Sequence, residues 1–105
     1  MLNPETMEEQ KRTILKAHGA TACHVETVRV REVIMKFPVW NGDVEVYEIT
    51  GHPQAKRCFA WTKETTFTVL EVPPVDSPKA AVRSVIVAAL KTYNAEKPLR
   101  EQWPD

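Results

Sequence analysis

The stretch FPVWNGDVEVYEITG, residues 37–51, places the dipeptide Asn41–Gly42 between two segments rich in Val and aromatic residues. A two-residue type I′ turn needs positive φ at both central positions, and Asn-Gly is a pair that adopts it readily. The sequence therefore predicts a β-hairpin that reverses at Asn41–Gly42. Because side chains alternate along a strand, the position of this turn decides which residues share a face of the sheet.

Three further segments have the composition of strands. Residues 21–37 are dense in Val, Thr and Ile and contain neither Pro nor Gly. Their alternation changes phase near Glu26 and Glu32, which indicates β-bulges. Residues 56–62 (KRCFAWT) and 66–72 (TFTVLEV) follow the loop GHPQA. All the connections between strands are short, which favours an antiparallel meander.

Helices are predicted at both ends of the chain. Asn3 is a suitable N-cap, Pro4 fits the first helical position, and Gly19 can close the helix in the left-handed conformation. Ser77 or Asp76 is the candidate N-cap of a second helical pattern over residues 78–93, which begins with a proline. Each of these ends is therefore marked by its own local signal.

The predicted order of elements is α-β-β-β-β-α. This order indicates an α+β fold, a two-layer sandwich in which the N- and C-terminal helices pack on one face of a four-stranded antiparallel meander. A chain of 105 residues is long enough for one domain. We assign residues 1–93 to this domain and residues 94–105 to a C-terminal tail.

The composition excludes several classes of protein. Fourteen basic residues balance fourteen acidic ones, so no global field attracts phosphate backbones. The polar N-terminus lacks the pattern of a signal peptide, and no apolar run is long enough for a membrane span. Two cysteines do not make a disulfide framework. These features predict a cytoplasmic protein with free thiols and without a membrane partner.

The predicted turn and a tight connection at GHPQA give the sheet two unlike faces. The face expected under the helices carries aliphatic and small side chains, namely Val33, Met35, Phe37, Val39, Val44, Val46, Cys58 and Ala60. The opposite face carries rings mixed with charges, a composition that suits a binding surface. We predict that the binding residues there are Tyr47, Phe59, Trp61, Lys36 and Arg57.

Exposed together, these rings would form an apolar patch large for a monomer. Two segments of the chain could cover it from within: the tail with Trp103, or the first helix crossing to that side. A second copy of the chain, another protein or a ligand are the alternatives. The leading hypothesis is a small non-enzymatic binding module that acts through the aromatic face, with self-association as one mode.

A small enzyme is the second hypothesis. His52 and Cys58 flank the GHPQA loop, and Lys56 and Arg57 provide the electropositive setting that activates a thiol. Against this hypothesis, Cys58 on the core face would be inert, and no third residue is available to orient His52. We therefore expect a protein that is not an enzyme.

No metal and no cofactor are predicted. Cys23 and His24 are adjacent on a strand, so their side chains point to opposite faces. The pairs of Cys or His at short fixed spacing that bind zinc are absent from the sequence.

Nucleic-acid binding is the third hypothesis. The order of elements is similar to that of the double-stranded-RNA-binding domain, and the last helix opens with DSPKAAVRS, in which Lys79 and Arg83 share a face. The dense lysine cluster of that family is absent, and this chain has an extra strand. The resemblance implies contacts to an RNA backbone. The aromatic face offers another route, the stacking of single-stranded bases.

Overall fold

The computed structural model describes residues 2–96, with side chains through residue 90. It contains six elements in the order α-β-β-β-β-α, which are α1 (Pro4–His18), β1 (Thr21–Ile34), β2 (Phe37–Thr50), β3 (Arg57–Thr62), β4 (Thr66–Leu70) and α2 (Pro78–Glu96). The α+β class and the order of elements are as predicted. No helix in this described part is long and apolar enough to cross a membrane.

Both helices begin as predicted. The side chain of Asn3 accepts a 2.8 Å hydrogen bond from the backbone N–H of Thr6, and Gly19 closes α1 with a φ of 68°. Oγ of Ser77 accepts a 3.2 Å hydrogen bond from the backbone N–H of Ala80 at the start of α2. These caps satisfy backbone groups that a helix cannot pair internally.

Helix α2 ends at Glu96 rather than at Tyr93. The remainder of the predicted tail, residues 97–105 with Trp103, lies outside the described residues.

The four strands form one antiparallel sheet in the order β1-β2-β3-β4. The ladder between β1 and β2 shifts register between His24 and Glu26 and again between Glu32 and Val33. These irregularities lie close to the bulges that the sequence predicts. They let two 14-residue strands pair along their whole length despite the phase changes in their apolar pattern.

The predicted turn at Asn41–Gly42 is wrong. The reversal lies at Met35 and Lys36, whose φ angles are 52° and 70°, while Gly42 lies within β2 opposite Val30. A Cβ on Gly42 would lie 2.9 Å from Nζ of Lys63 and 3.1 Å from a ring carbon of Trp40. This glycine therefore allows a close side-chain approach inside a strand, which is the other common role of strand glycines.

The helices cover opposite faces of the sheet, so the predicted two-layer arrangement with both helices on one face is wrong. Ile14 of α1 packs in one buried cluster with Cys58 and Ala60. Val82 of α2 packs in a second cluster with Phe59 and Trp61, which alternate with the first pair along β3. Both faces of β3 are apolar, and each needs a cover, so the fold has three layers.

The predicted grouping of side chains is also corrected by the ladder between β2 and β3. Tyr47 lies opposite Cys58, and Val46 lies opposite Phe59. The α1 side of the sheet therefore carries Glu45, Tyr47, Ile49, Cys58 and Ala60, and the α2 side carries Val44, Val46, Phe59 and Trp61. A register one residue away from the expected one exchanges the two faces of β3 relative to β2.

Within the described residues, one part of the hairpin lacks a third strand beside it. The ladder between β2 and β3 spans Glu45–Glu48 of β2, so residues 37–43 pair with β1 and with no other described strand. We call this two-stranded extension, residues 29–43, the hairpin arm. Its end carries four side chains that were predicted in the core but are exposed, namely Val33, Met35, Phe37 and Val39.

Candidate functional site

The three rings of the predicted aromatic surface are buried. Tyr47, Phe59 and Trp61 each expose less than a twentieth of their surface. Tyr47 lies under α1, whereas Phe59 and Trp61 lie under α2. The prediction that they form one exposed face is therefore wrong, because the sheet is covered on both sides by the chain's own helices.

Trp61 lies in an aromatic cluster on the α2 side. Its ring stacks on Phe67 of β4 with centroids 5.7 Å apart, and it meets Trp40 of β2 edge-on at 5.9 Å. Nζ of Lys63 lies 5.1 Å from the Trp40 ring centroid, within cation–π range. These contacts attach the base of the hairpin arm to β3 and β4 through side chains where the strands themselves do not pair.

The two predicted basic binding residues are separated. Lys36 lies in the turn at the end of the hairpin arm, and Arg57 begins β3. Both are exposed. The structure brings neither of them to a surface shared with the three buried rings.

The geometry around His52 and Cys58 is that of a structural loop and a core thiol. Nδ1 of His52 accepts hydrogen bonds from the backbone N–H groups of Gln54 at 3.1 Å and Ala55 at 2.9 Å. Cys58 is fully buried, and burial raises the pKa of its thiol from 9.0 to about 12. A thiol that stays protonated at neutral pH is a poor nucleophile, so this arrangement does not support a catalytic pair.

The side chain of Cys23 is exposed on β1. Among the residues whose side chains are described, no three His, Cys, Asp or Glu groups lie together as metal ligands would.

Four of the eight large apolar side chains that are exposed in the described part of the chain lie at the end of the hairpin arm. We call this end the hairpin tip, defined by Val33, Met35, Phe37 and Val39. These side chains expose 42%, 70%, 72% and 45% of their surface, respectively. Lys36 is the only charged residue between them. The tip escaped prediction because the misplaced turn assigned its residues to the interior of the sheet.

An apolar groove lies beside the hairpin arm on the α2 side. It has a volume of about 420 Å³ and is lined by Pro74, Val75, Ala80, Arg83, Ser84, Val87 and Ala88. Nη1 of Arg83 lies 3.6 Å from Oε1 of Glu32, the residue that precedes Val33. One lining residue of the groove therefore contacts the hairpin arm, at the residue next to the tip in sequence.

A buried polar network lies on the α1 side of the sheet. The phenol of Tyr47 donates a 2.6 Å hydrogen bond to Oε1 of Gln10, and burial raises the pKa of that phenol above its usual value of 10.0. Nε2 of Gln10 donates to Oγ1 of Thr62 at 3.1 Å. The buried carboxylate of Glu45 lies on the same side and accepts hydrogen bonds from His24 and Thr27.

Comparison of the chain with models of known protein families, with curated proteins and with solved structures finds no significant match.

Proposed function

We propose that this chain is a small, cytoplasmic, non-enzymatic interaction module that docks through its hairpin tip, and that the occupant is a second copy of the chain. The observation that carries the proposal is the group of four exposed apolar side chains at the end of a two-stranded arm. Two free cysteines, one of them exposed, suit the reducing cytoplasm.

The size of the exposed surface supports docking. From the exposed fractions of its four residues, the tip exposes on the order of 400 Å² of apolar surface in total, an area comparable to a large patch on a monomer. Val33 and Phe37 lie in adjacent pairs of the ladder, so this surface wraps around the end of the arm. Such patches mark interaction sites more often than chance exposure does. The arm holds this surface away from the core, where a partner can reach it.

A second copy suits the tip because the chain also carries an apolar groove next to it. In a two-fold dimer, the tip of each copy meets the groove of the other, so the contact closes after two molecules. If each tip buries on the order of 400 Å² and the groove surface beneath it is smaller, the total reaches roughly 1,000 Å², the lower limit for a specific interface. The balanced charge of the chain gives two copies no net repulsion.

The other hypotheses have less geometric support. The buried and protonated thiol of Cys58 argues against a Cys–His enzyme. Burial of Tyr47, Phe59 and Trp61 removes the rings on which bases would stack. We therefore retain the interaction module as the proposal and replace the aromatic face by the hairpin tip as its site.

Light scattering coupled to size-exclusion chromatography tests the proposal over a series of protein concentrations. We expect the unaltered chain to reach twice its mass of 12.0 kDa and Phe37→Asp to remain at the single mass. Leu15→Asp is the matched control, because Leu15 is an apolar α1 residue with 55% exposure far from the tip in sequence. This variant should still dimerise.

A mixing experiment tests whether the contact is reciprocal. Val87→Asp, which changes the groove, should be monomeric alone, as should Phe37→Asp. A mixture of the two variants retains one intact tip and one intact groove, so it should form a weak heterodimer. A single mass for the unaltered chain at every concentration, or dimerisation that survives Phe37→Asp, contradicts the proposal.

A further inference from the structure

A polar cleft lies between the first turns of α1 and the sheet, on the face opposite the groove. Its volume is about 320 Å³. Its lining includes Gln10, Arg29, Asp43, Glu45, Thr62 and Lys63. A volume of this size lies at the lower end of the range for small-molecule sites. The cleft is separate from the tip and groove, so it bears on a different activity.

Glu45 is the buried charge in this cleft. Its side chain exposes 5% of its surface. Oε1 accepts hydrogen bonds from Nε2 of His24 at 2.8 Å and from the hydroxyl of Thr27. Within the described part of the chain, the second oxygen, Oε2, accepts no hydrogen bond, and it is not among the fully enclosed atoms. Because Glu45 lines the cleft, this oxygen is available to a ligand there.

Contacts of His24 and Tyr47 hold the carboxylate of Glu45 in place. The imidazole of His24 meets the ring of Tyr47 edge-on, with centroids 5.3 Å apart. Tyr47 is itself fixed by its hydrogen bond to Gln10. Two donors hold Oε1 of Glu45, and this fixes the orientation of the whole carboxylate. Its Oε2 therefore keeps one direction, as the atoms of preorganised binding groups do.

The lysine and arginine of the cleft do not neutralise Glu45. Arg29 contacts Asp43 through Nη1 at 3.3 Å and Asn41 through Nε at 3.1 Å. Nζ of Lys63 donates to the backbone oxygen of Asn41 at 3.1 Å. Among the described residues, His24 is the one basic side chain within ion-pair distance of Glu45. A desolvated carboxylate with one free oxygen favours a cation at that oxygen.

We propose that this cleft binds a small primary amine, whose ammonium group donates a hydrogen bond to Oε2 of Glu45. An ammonium ion is compact and carries three donors, which suits a narrow polar cleft whose walls also offer the Thr62 hydroxyl and the Asp43 carboxylate. A single buried carboxylate is too few ligands for a divalent metal, and the described side chains provide no group of three.

Two basic residues of the cleft bear on what the ligand carries besides its ammonium group. Arg29 and Lys63 line the same cleft as Glu45. An amine that also carries a carboxylate could place its anionic end near these cations, whereas a simple amine would leave them hydrated. The test separates these two sources of the ammonium group.

Titrations followed by ¹H–¹⁵N NMR test the proposal with three probes: n-butylamine, 4-aminobutanoate and the uncharged control n-butanol. We expect both amines to produce saturable shifts of the Gln10 side-chain amide and the Thr62 backbone amide, and n-butanol to produce none. Tighter binding of 4-aminobutanoate than of n-butylamine would show that the cleft recognises both an ammonium group and a carboxylate. Equal binding would show that it recognises the ammonium group only.

Glu45→Gln should weaken binding of the amines by at least about tenfold, because it removes a charge-assisted hydrogen bond. Glu48→Gln is the matched control, since Glu48 is an exposed carboxylate on the same strand, and it should bind as the unaltered chain does. If Glu45→Gln fails to fold, Thr6→Phe fills the cleft from α1 and should abolish binding. The absence of saturable shifts with both amines, or equal affinity in Glu45→Gln, overturns the proposal.

Discussion

The phenol of Tyr47 and the carboxamide of Gln10 share a 2.6 Å hydrogen bond that joins the sheet to α1. Both side chains are buried. The same carboxamide donates to Oγ1 of Thr62, so Gln10 is held from two strands. A buried polar group that loses its partner retains the cost of its desolvation, which makes this pair a sensitive point of the fold.

We expect Tyr47→Phe to lower the free energy of unfolding by about 1–3 kcal/mol, because Oε1 of Gln10 then loses its donor in a dry environment. Gln10→Leu should be destabilising for the same reason. The double variant should be less destabilised than the sum of the two, because it leaves neither partner unpaired. Urea denaturation measures all three. Strict additivity would show that the hydrogen bond contributes nothing.

The starts of both helices and the end of α1 could be predicted because their signals are local. The Asn3 side chain caps the N–H of Thr6 three residues away, and Gly19 provides the left-handed φ that ends α1. Neither interaction depends on the rest of the fold. The same holds for Ser77 and Ala80 at the start of α2.

The turn and the faces could not be predicted, because they depend on distant pairings. Asn41–Gly42 has the stronger local preference for a turn, but a reversal at Met35 and Lys36 pairs β1 and β2 along their full length. The register between β2 and β3 then placed Tyr47 opposite Cys58 rather than beside Phe59. Both candidate sites follow from these two features of the sheet. The turn at Met35 and Lys36 exposes the hairpin tip. The β2–β3 register places Glu45 opposite Ala60, on the α1 side of the sheet where the cleft lies.

The buried thiol of Cys58 makes stability depend on alkaline pH. Its pKa is raised from 9.0 in the usual environment to about 12 in the fold. The stability linked to the neutral thiol is therefore fully present below pH 9 and is lost as the pH rises toward 12. At about pH 11, this loss amounts to about 3 kcal/mol relative to neutral pH.

Comparison of variants isolates this effect from the titration of lysines and tyrosines. We expect the unfolding free energy of Cys58→Ala to fall less between about pH 8 and about pH 11 than that of the unaltered chain. Cys23→Ala is the control, because Cys23 is exposed, and its pH dependence should match the unaltered chain. Identical slopes for all three proteins would show that Cys58 is not protected from ionisation.

Glu32 is a buried carboxylate, and we expect its charge to lower the free energy of unfolding. Its Oε2 is enclosed and has no hydrogen-bond partner among the described residues, and its Oε1 lies 3.6 Å from Nη1 of Arg83. Replacement of a poorly paired buried charge by an apolar side chain is often neutral or stabilising. Glu32→Met should therefore leave the free energy of unfolding unchanged or raise it by about 1 kcal/mol.

Removal of the partner should have the opposite effect. Arg83→Met leaves the carboxylate without its cation and should lower the free energy of unfolding by about 1–3 kcal/mol. Glu26→Met is the control for Glu32→Met, because Glu26 is an exposed glutamate of the same strand. Thermal and urea unfolding compare the three variants. A large loss of stability in Glu32→Met would show that the carboxylate has a partner that compensates its burial.

The position of the hairpin turn can be tested by substitutions at the two competing sites. Met35 and Lys36 both have positive φ, a conformation disfavoured by about 1–2 kcal/mol for residues with a Cβ. Replacement of this pair by Asn-Gly should therefore raise the free energy of unfolding by about 1–2 kcal/mol. Gly42→Ala should lower it by about 1 kcal/mol, because the new methyl group crowds Trp40. Urea denaturation measures both variants. A turn at Asn41–Gly42 would make Gly42→Ala more damaging, because the new alanine would need a positive φ, and the substitutions at 35 and 36 would then bring no gain in stability.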